Sequence, residues 1–218
     1  MRYINKYQVQ VDKSHYESGG YLNEERWMSF YHQIEGVQSI AKILNKKNIT
    51  VLEIGIGNKI VSNLLKGIGM KVTTIDIDPK LKPDYVCALP DINIFAQKRF
   101  DCILCCEVLE HILYEDAEKS FKNMQKLGKY CVISVPHKDL WLGATFILGF
   151  FSPLKFIMSF PLTFRTHIFQ KEHYWELGTK GYSVQKFKES IRKAGFSLIK
   201  NHRVPEFPYH HFFILKSE

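Results

Sequence analysis

Val51-Leu52-Glu53-Ile54-Gly55-Ile56-Gly57-Asn58 is the stretch on which the reading of this chain turns. A short run of strand character meets two glycines spaced one residue apart, and helical periodicity resumes over 59–68. Glycine permits the positive φ of a sharp strand-to-helix turn and lets a ligand approach the backbone. At the carboxyl end of a strand in an open α/β sheet, such a turn borders the crevice where nucleotides bind. Lys59 stands near the place of the third glycine of a dinucleotide fingerprint, which argues against a bound pyrophosphate. Asp76 ends the next predicted strand, 21 residues beyond Gly55. A carboxylate there can accept hydrogen bonds from both hydroxyls of a ribose. The plainer alternative is a solvated acid in the turn Asp76-Ile77-Asp78-Pro79.

Outward from this turn, strands and helices alternate. Near-continuous apolar runs predict strands over 50–55, 71–76, 85–88, 100–106 and 129–135, and helices over 59–68 and 115–127. A long amphipathic helix is expected over 22–46, carried by Leu22, Trp27, Phe30, Ile34, Val37, Ile40, Ala41 and Leu44. Ser183 caps a helix that ends at Gly195, and strands over 196–203 and 209–216 follow. The pattern predicts a single α/β domain over 1–218: a doubly wound, Rossmann-like, seven-stranded and mostly parallel sheet, helices on both faces, closed by a C-terminal antiparallel hairpin. The segment about 20–47 is expected to form a helical cap.

Between 141 and 164 the rhythm breaks, with one charge, Lys155, in 24 positions. Gly143, Gly149, Pro153 and Pro161 interrupt any helix there and argue against a membrane span. The segment about 138–172 is expected to be an inserted apolar lid over the open end of the sheet, with peripheral contact to a membrane interface as the alternative.

The 218 residues carry a formal charge of +8. Residues 1–120 hold 15 Lys/Arg against 16 Asp/Glu, and residues 121–218 hold 15 against 6, so the second part carries the excess. That asymmetry suits an acidic substrate, an anionic membrane or nucleic acid, or only a solvated surface. The five cysteines fall inside predicted strands without zinc-site spacing, so structural thiols and no metal are expected. The first ten residues are polar and do not resemble a signal peptide, and a cytoplasmic location is expected.

Five segments together resemble the class I S-adenosylmethionine methyltransferases of the type 11 sort: VLEIGIGNKIVSNLLKGIG (51–69), KVTTIDIDPKLKPD (71–84), FDCILCCEVLEHI (100–112), YCVISVPH (130–137) and HYWELGTKGYS (173–183). Residues 1–20 and 138–170 have no counterpart. The resemblance implies S-adenosyl-L-methionine as cofactor and S-adenosyl-L-homocysteine as product. It implies Gly55 and Gly57 beside the carboxypropyl part, Glu53 orienting that loop toward the amino group, Asp76 on the ribose and Ile77 against the adenine. Ala88 and Leu89 would line the adenine, Cys106 and Glu107 would lie beneath the methionine moiety, and Tyr21 and Arg26 would cap the site. An Asp usual near Ala88 in the family is missing here.

Methyl transfer from a sulfonium is an in-line displacement that rests largely on alignment, and a base is needed only when the acceptor must lose a proton. His137 and His173 are the candidate bases, set against a capping His137 and a structural His173–Glu176 pair. His111 reads as a capping or packing residue, and His210 and His211 as surface or edge residues. The aromatic lid points to a small-molecule or lipid-like acceptor. The alternatives are a nucleic-acid-directed methyltransferase or binding protein using the basic half, which lacks a dense Lys/Arg run, and an inactive scaffold. The plainer alternative for the lid is packing against its own domain or against the second subunit of a homodimer.

Overall fold

The computed structural model describes residues 7–95, 99–162, 164–169 and 172–218. In chain order the helices are α1 (Lys13–Glu17), α2 (Glu24–Ile43), α3 (Ile60–Gly67), α4 (Tyr114–Leu127) and α5 (Val184–Lys193). The strands are β1 (Thr50–Ile54), β2 (Lys71–Asp76), β3 (Tyr85–Val86), β4 (Phe100–Cys106), β5 (Gly128–Pro136), β6 (Asp139–Phe146), β7 (Leu154–Pro161), β8 (Phe196–His202) and β9 (His210–Ser217). Seven of them make one sheet in the order β3-β2-β1-β4-β5-β9-β8. The first five are parallel; β9 runs antiparallel to β5 and pairs with β8 as the expected terminal hairpin.

Apolar runs dictate this sheet because parallel strands covered on both faces must be apolar on both. Leu52, Ile103, Ile133 and Phe213 belong to the core on one side, while Val51, Cys102, Val132 and Ile214 belong to the core on the other. The chain reverses order between β1 and β4, and the crevice at their carboxyl ends is the place for a ligand. Helix α2 starts at an Asn23 cap, whose side chain accepts from the Arg26 amide at 2.8 Å, and lays Val37, Ile40 and Ala41 on the second core.

The segment expected as a lid is different. Strands β6 and β7 form a separate two-stranded hairpin, in register from Asp139 opposite Pro161 to Phe146 opposite Leu154. It leans on the β8–β9 connection. Arg203 makes a bidentate pair with Asp139 at 2.6 and 2.8 Å, and Lys155 meets Glu206 at 2.9 Å. The prolines that stop a helix stand just before and at the end of β7, where a hairpin tolerates them. Residues 163, 170 and 171 of the expected lid lie outside the described residues. No helix among the described residues is long and apolar enough to cross a membrane.

Candidate active site

A cavity of about 380 Å³ opens at the carboxyl ends of β1, β2 and β4. Its floor is the glycine turn. Gly55 has φ +80° and Gly57 φ +46°, and a Cβ on Gly55 would overlap Val108, so both the backbone angle and the space call for glycine. Asp76 pins this turn from the neighbouring strand. Its Oδ2 accepts from the Ile56 amide at 2.8 Å and its Oδ1 from the Asp78 amide at 2.9 Å. Burial raises the Asp76 carboxyl above its ordinary range, opposed by those amide bonds. The second lone pair of each oxygen remains for a ligand.

Glu53 is buried behind the turn, and its Oε2 has no hydrogen-bond partner. Burial pushes its pKa up to about 8. A carboxyl of this kind is poised to ionise against an incoming cation.

The expected cofactor residues Glu53, Gly55, Gly57, Asp76, Ile77, Ala88, Leu89, Cys106, Glu107, Tyr21 and Arg26 all line this one cavity. The Arg26 guanidinium lies over the Tyr21 ring at 4.8 Å. Of the two candidate bases, only His173 reaches the cavity. His137 is buried elsewhere, its ring stacked on His211 at 5.2 Å and 3° and its Nδ1 3.1 Å from the His211 Nδ1. Burial, with Arg203 nearby, depresses His137 to about 4. It follows the end of β5 and packs on His211 of β9, outside the lining of the cavity.

Three further corrections concern what encloses the site. Of the expected 138–172 lid, the 139–161 hairpin does not line the cavity and Glu172 does; among the described residues the cover comes mainly from Tyr7 to Val11, His15 and Tyr16, in a segment without counterpart in the resemblance. Tyr7 donates to Asp116 on α4, and Gln10 donates to the His111 carbonyl at 3.1 Å, drawing this segment over the opening. His210 and His211 are not edge residues, because β9 lies inside the sheet with β8 outside it. His210 Nε2 sits 3.0 Å from Glu107 Oε2, and its Nδ1 2.8 Å from Ser29 Oγ. Burial works to raise the Glu107 carboxyl, but His210 and a 2.8 Å bond from Ser134 outweigh it and hold Glu107 ionised. His111, expected only to cap, also lines the cavity.

At that polar end Glu110 is fully buried, and neither carboxylate oxygen has a hydrogen-bond partner. Burial first, then the charge of Glu107, holds its pKa well above the carboxylate range. The His173–Glu176 pair is present, with Nδ1 to Oε1 at 2.9 Å, and Tyr209 donates to the same oxygen at 2.7 Å. Against the opposing effect of burial, these bonds hold Glu176 at about 2.

A family model described as a methyltransferase domain matches residues 23–201. The chain belongs to the methyltransferase domain family. Its fold is that of the class I S-adenosylmethionine-dependent methyltransferases. Among solved structures it is similar to the 1,6-didemethyltoxoflavin N1-methyltransferase of Burkholderia thailandensis, with a TM-score of 0.59 and 16% identity over 94% of this chain and 84% of that one. It is also similar to the magnesium protoporphyrin IX methyltransferase of Synechocystis, with a TM-score of 0.60 and 16% identity over 95% and 93%. At such identities the likeness establishes the fold of the methyltransferase domain. An uncharacterised protein of Methanocaldococcus jannaschii is 32% identical over 104 residues, and the match spans 46% of each chain, so about half the length of that curated relative.

Proposed function

We propose that this methyltransferase-domain protein moves the methyl group of S-adenosylmethionine to a small-molecule or lipid-like acceptor, leaving S-adenosylhomocysteine. The observation that carries the proposal is the convergence on one cavity of the Gly55–Gly57 turn, the Asp76 carboxylate and the unpartnered Glu53 oxygen. In this reading Gly55 and Gly57 pass beside the carboxypropyl chain and Glu53 meets the amino group. Asp76 takes the ribose hydroxyls. Ile77, Ala88 and Leu89 hold the adenine, Cys106 and Glu107 lie beneath the methionine moiety, and Tyr21 and Arg26 cap it.

A lone pair on the acceptor attacks the methyl carbon, the carbon–sulfur bond breaks, and sulfur keeps the pair and departs neutral. The protein's part is to align the two and keep out water. The N-terminal cover supplies the exclusion. Where the acceptor atom carries a proton, His173, held by Glu176, is the side chain positioned to receive it.

The hairpin supports a second reading, a peripheral contact with a lipid surface. Phe150 is fully exposed, and Ile147, Leu148, Phe151 and Leu154 around it are also exposed, an apolar tip unusual for a solvated loop.

Calorimetric titration with S-adenosylmethionine, S-adenosylhomocysteine and NAD tests the main reading. Micromolar binding of the first two without the third is expected; binding of neither sulfur nucleoside would overturn it.

A further inference from the structure

Three potential ligand side chains lie together at the polar end of the cavity. Glu110, His111 and His173 each offer a ligand atom, and the three atoms lie within 4.8 Å of one another. His111 Nε2 stands 4.0 Å from Glu110 Oε1. Donors on a first-row cation at about 2.1 Å are roughly 3 to 3.5 Å apart, so small side-chain rotations bring all three into bonding distance.

Two independent features distinguish this cluster from an ordinary polar patch. First, both imidazoles are tethered through Nδ1. The His173 Nδ1 lies 2.9 Å from Glu176 Oε1, and the His111 Nδ1 lies 2.9 Å from the Glu172 carbonyl and 3.0 Å from Gln10 Oε1. Oxygen acceptors on Nδ1 fix the tautomer and leave Nε2 as a lone-pair donor, which is the outer-shell arrangement of a metal-bound histidine. Secondly, Glu110 is fully buried with two oxygens that nothing in the protein satisfies. Orphaned buried carboxylate oxygens call for a partner, and the side chains gathered beside Glu110 are two imidazoles whose Nδ1 atoms already face oxygen atoms.

We propose that Glu110, His111 and His173 bind a divalent transition-metal cation whose open positions take the oxygen of a hydroxyl-bearing acceptor. One carboxylate and two imidazoles suit a borderline cation such as Zn²⁺ or Co²⁺, and three protein ligands leave room for substrate. The site reverses the expectation of no metal, which rested on cysteine spacing; here imidazole and carboxylate supply every ligand. A bound hydroxyl loses its proton to solvent more readily. The oxygen lone pair then attacks the methyl carbon while sulfur keeps the electrons of the broken bond, and His173 serves as a ligand in place of a base. The acceptor chemistry rests on the methyl-transfer reading, whereas the cation site stands on its own geometry.

The test is titration of the full chain with Co²⁺, read by visible absorption and by metal analysis, alongside S-adenosylhomocysteine calorimetry. Wild type is expected to bind one Co²⁺ per chain, displaced by Zn²⁺. Glu110→Gln and His173→Asn should each weaken it about tenfold or more while both variants keep S-adenosylhomocysteine binding, which also shows that they fold. His202→Asn is the control, because His202 with His32 and Glu35 forms the other cluster of possible ligands among the described residues. No Co²⁺ uptake by wild type, unchanged uptake in the first two variants, or loss in His202→Asn alone would overturn the proposal. Intact Co²⁺ uptake without S-adenosylhomocysteine binding would instead remove the methyl-transfer reading and leave the cation site standing.

Discussion

Replacing Asp76 separates two tasks that one carboxylate performs. In the structure its two oxygens accept from the Ile56 and Asp78 amides at 2.8 and 2.9 Å, so it holds the glycine turn before any ligand arrives. A hydrogen bond to a charged group is worth about 1.5–3 kcal/mol, and a buried amide left without a partner costs a similar amount. Asp76→Ala orphans both amides and should lower unfolding stability by about 3–5 kcal/mol. Asp76→Asn keeps one acceptor oxygen but turns an NH₂ toward the other amide, so about 2–3 kcal/mol is expected. Loss of two ribose contacts to a charged acceptor adds about 3 kcal/mol against ligand in either variant, on the order of a hundredfold in Kd. Urea unfolding reads the first effect, and calorimetry with S-adenosylhomocysteine, done where each variant is folded, reads the second. Wild-type affinity in Asp76→Asn would refute the ribose assignment, and wild-type stability in Asp76→Ala would refute the clamp.

Gly55→Ala places a Cβ at φ +80° against Val108; a loss of at least about 2 kcal/mol in urea unfolding is expected, with S-adenosylhomocysteine binding abolished. Glu53, at about pKa 8, is mostly protonated at pH 7 in the free protein, so meeting an ammonium group should release close to one proton per ligand. Calorimetry in buffers of different ionisation enthalpy measures that release, and Glu53→Gln should remove it. Burial depresses His137 and His202 from 6.5 to about 4. The unfolded chain therefore takes up protons first, and stability present above pH 6.5 should fall as pH drops toward 4, by no more than about 3 kcal/mol per histidine; a flat profile across that window would count against buried neutral imidazoles. Phe150→Asp with Phe151→Asp should abolish co-sedimentation with anionic lipid vesicles if the hairpin tip enters the interface. If wild type stays in the supernatant and sediments as a dimer in the centrifuge, the tip is covered by a second copy instead.

What could be read from the chain follows from the range over which each signal acts. The parallel sheet was legible because burial on both faces writes itself into consecutive residues, as in Val51-Leu52 and Cys102-Ile103-Leu104, and because Gly55, Gly57 and Asp76 mark strand ends by local backbone need. The hairpin misled because its apolar residues follow no single-face alternation: Leu140, Trp141 and Leu142 are all exposed in succession. Apolar content then suggested a buried lid where the structure has an exposed arm.

The cover and the polar end were hidden for the opposite reason, since they are made by contacts between distant residues. Tyr7 reaches Asp116 across 109 positions, and Gln10 reaches His111 across 101. Only Glu107-Val108-Leu109-Glu110-His111 carries a local trace of the polar end, and its carboxylates take opposite states. Glu107, at φ +54°, turns to Ser134 and His210, whereas Glu110 points into a space that these partners do not reach. Glu107, the residue after the end of β4, takes a positive φ, and the short turn that follows carries Glu110 and His111 to the cavity lining. His173 then approaches from beyond the hairpin, its neighbour Tyr174 donating its amide to the Glu110 carbonyl at 2.8 Å. That bond joins the two halves of the polar end, alongside the contact of the His111 Nδ1 with the Glu172 carbonyl and the bond from the Trp175 indole to the Ile112 carbonyl at 3.0 Å, so the histidine and the carboxylate are set by backbone contacts between the same two segments.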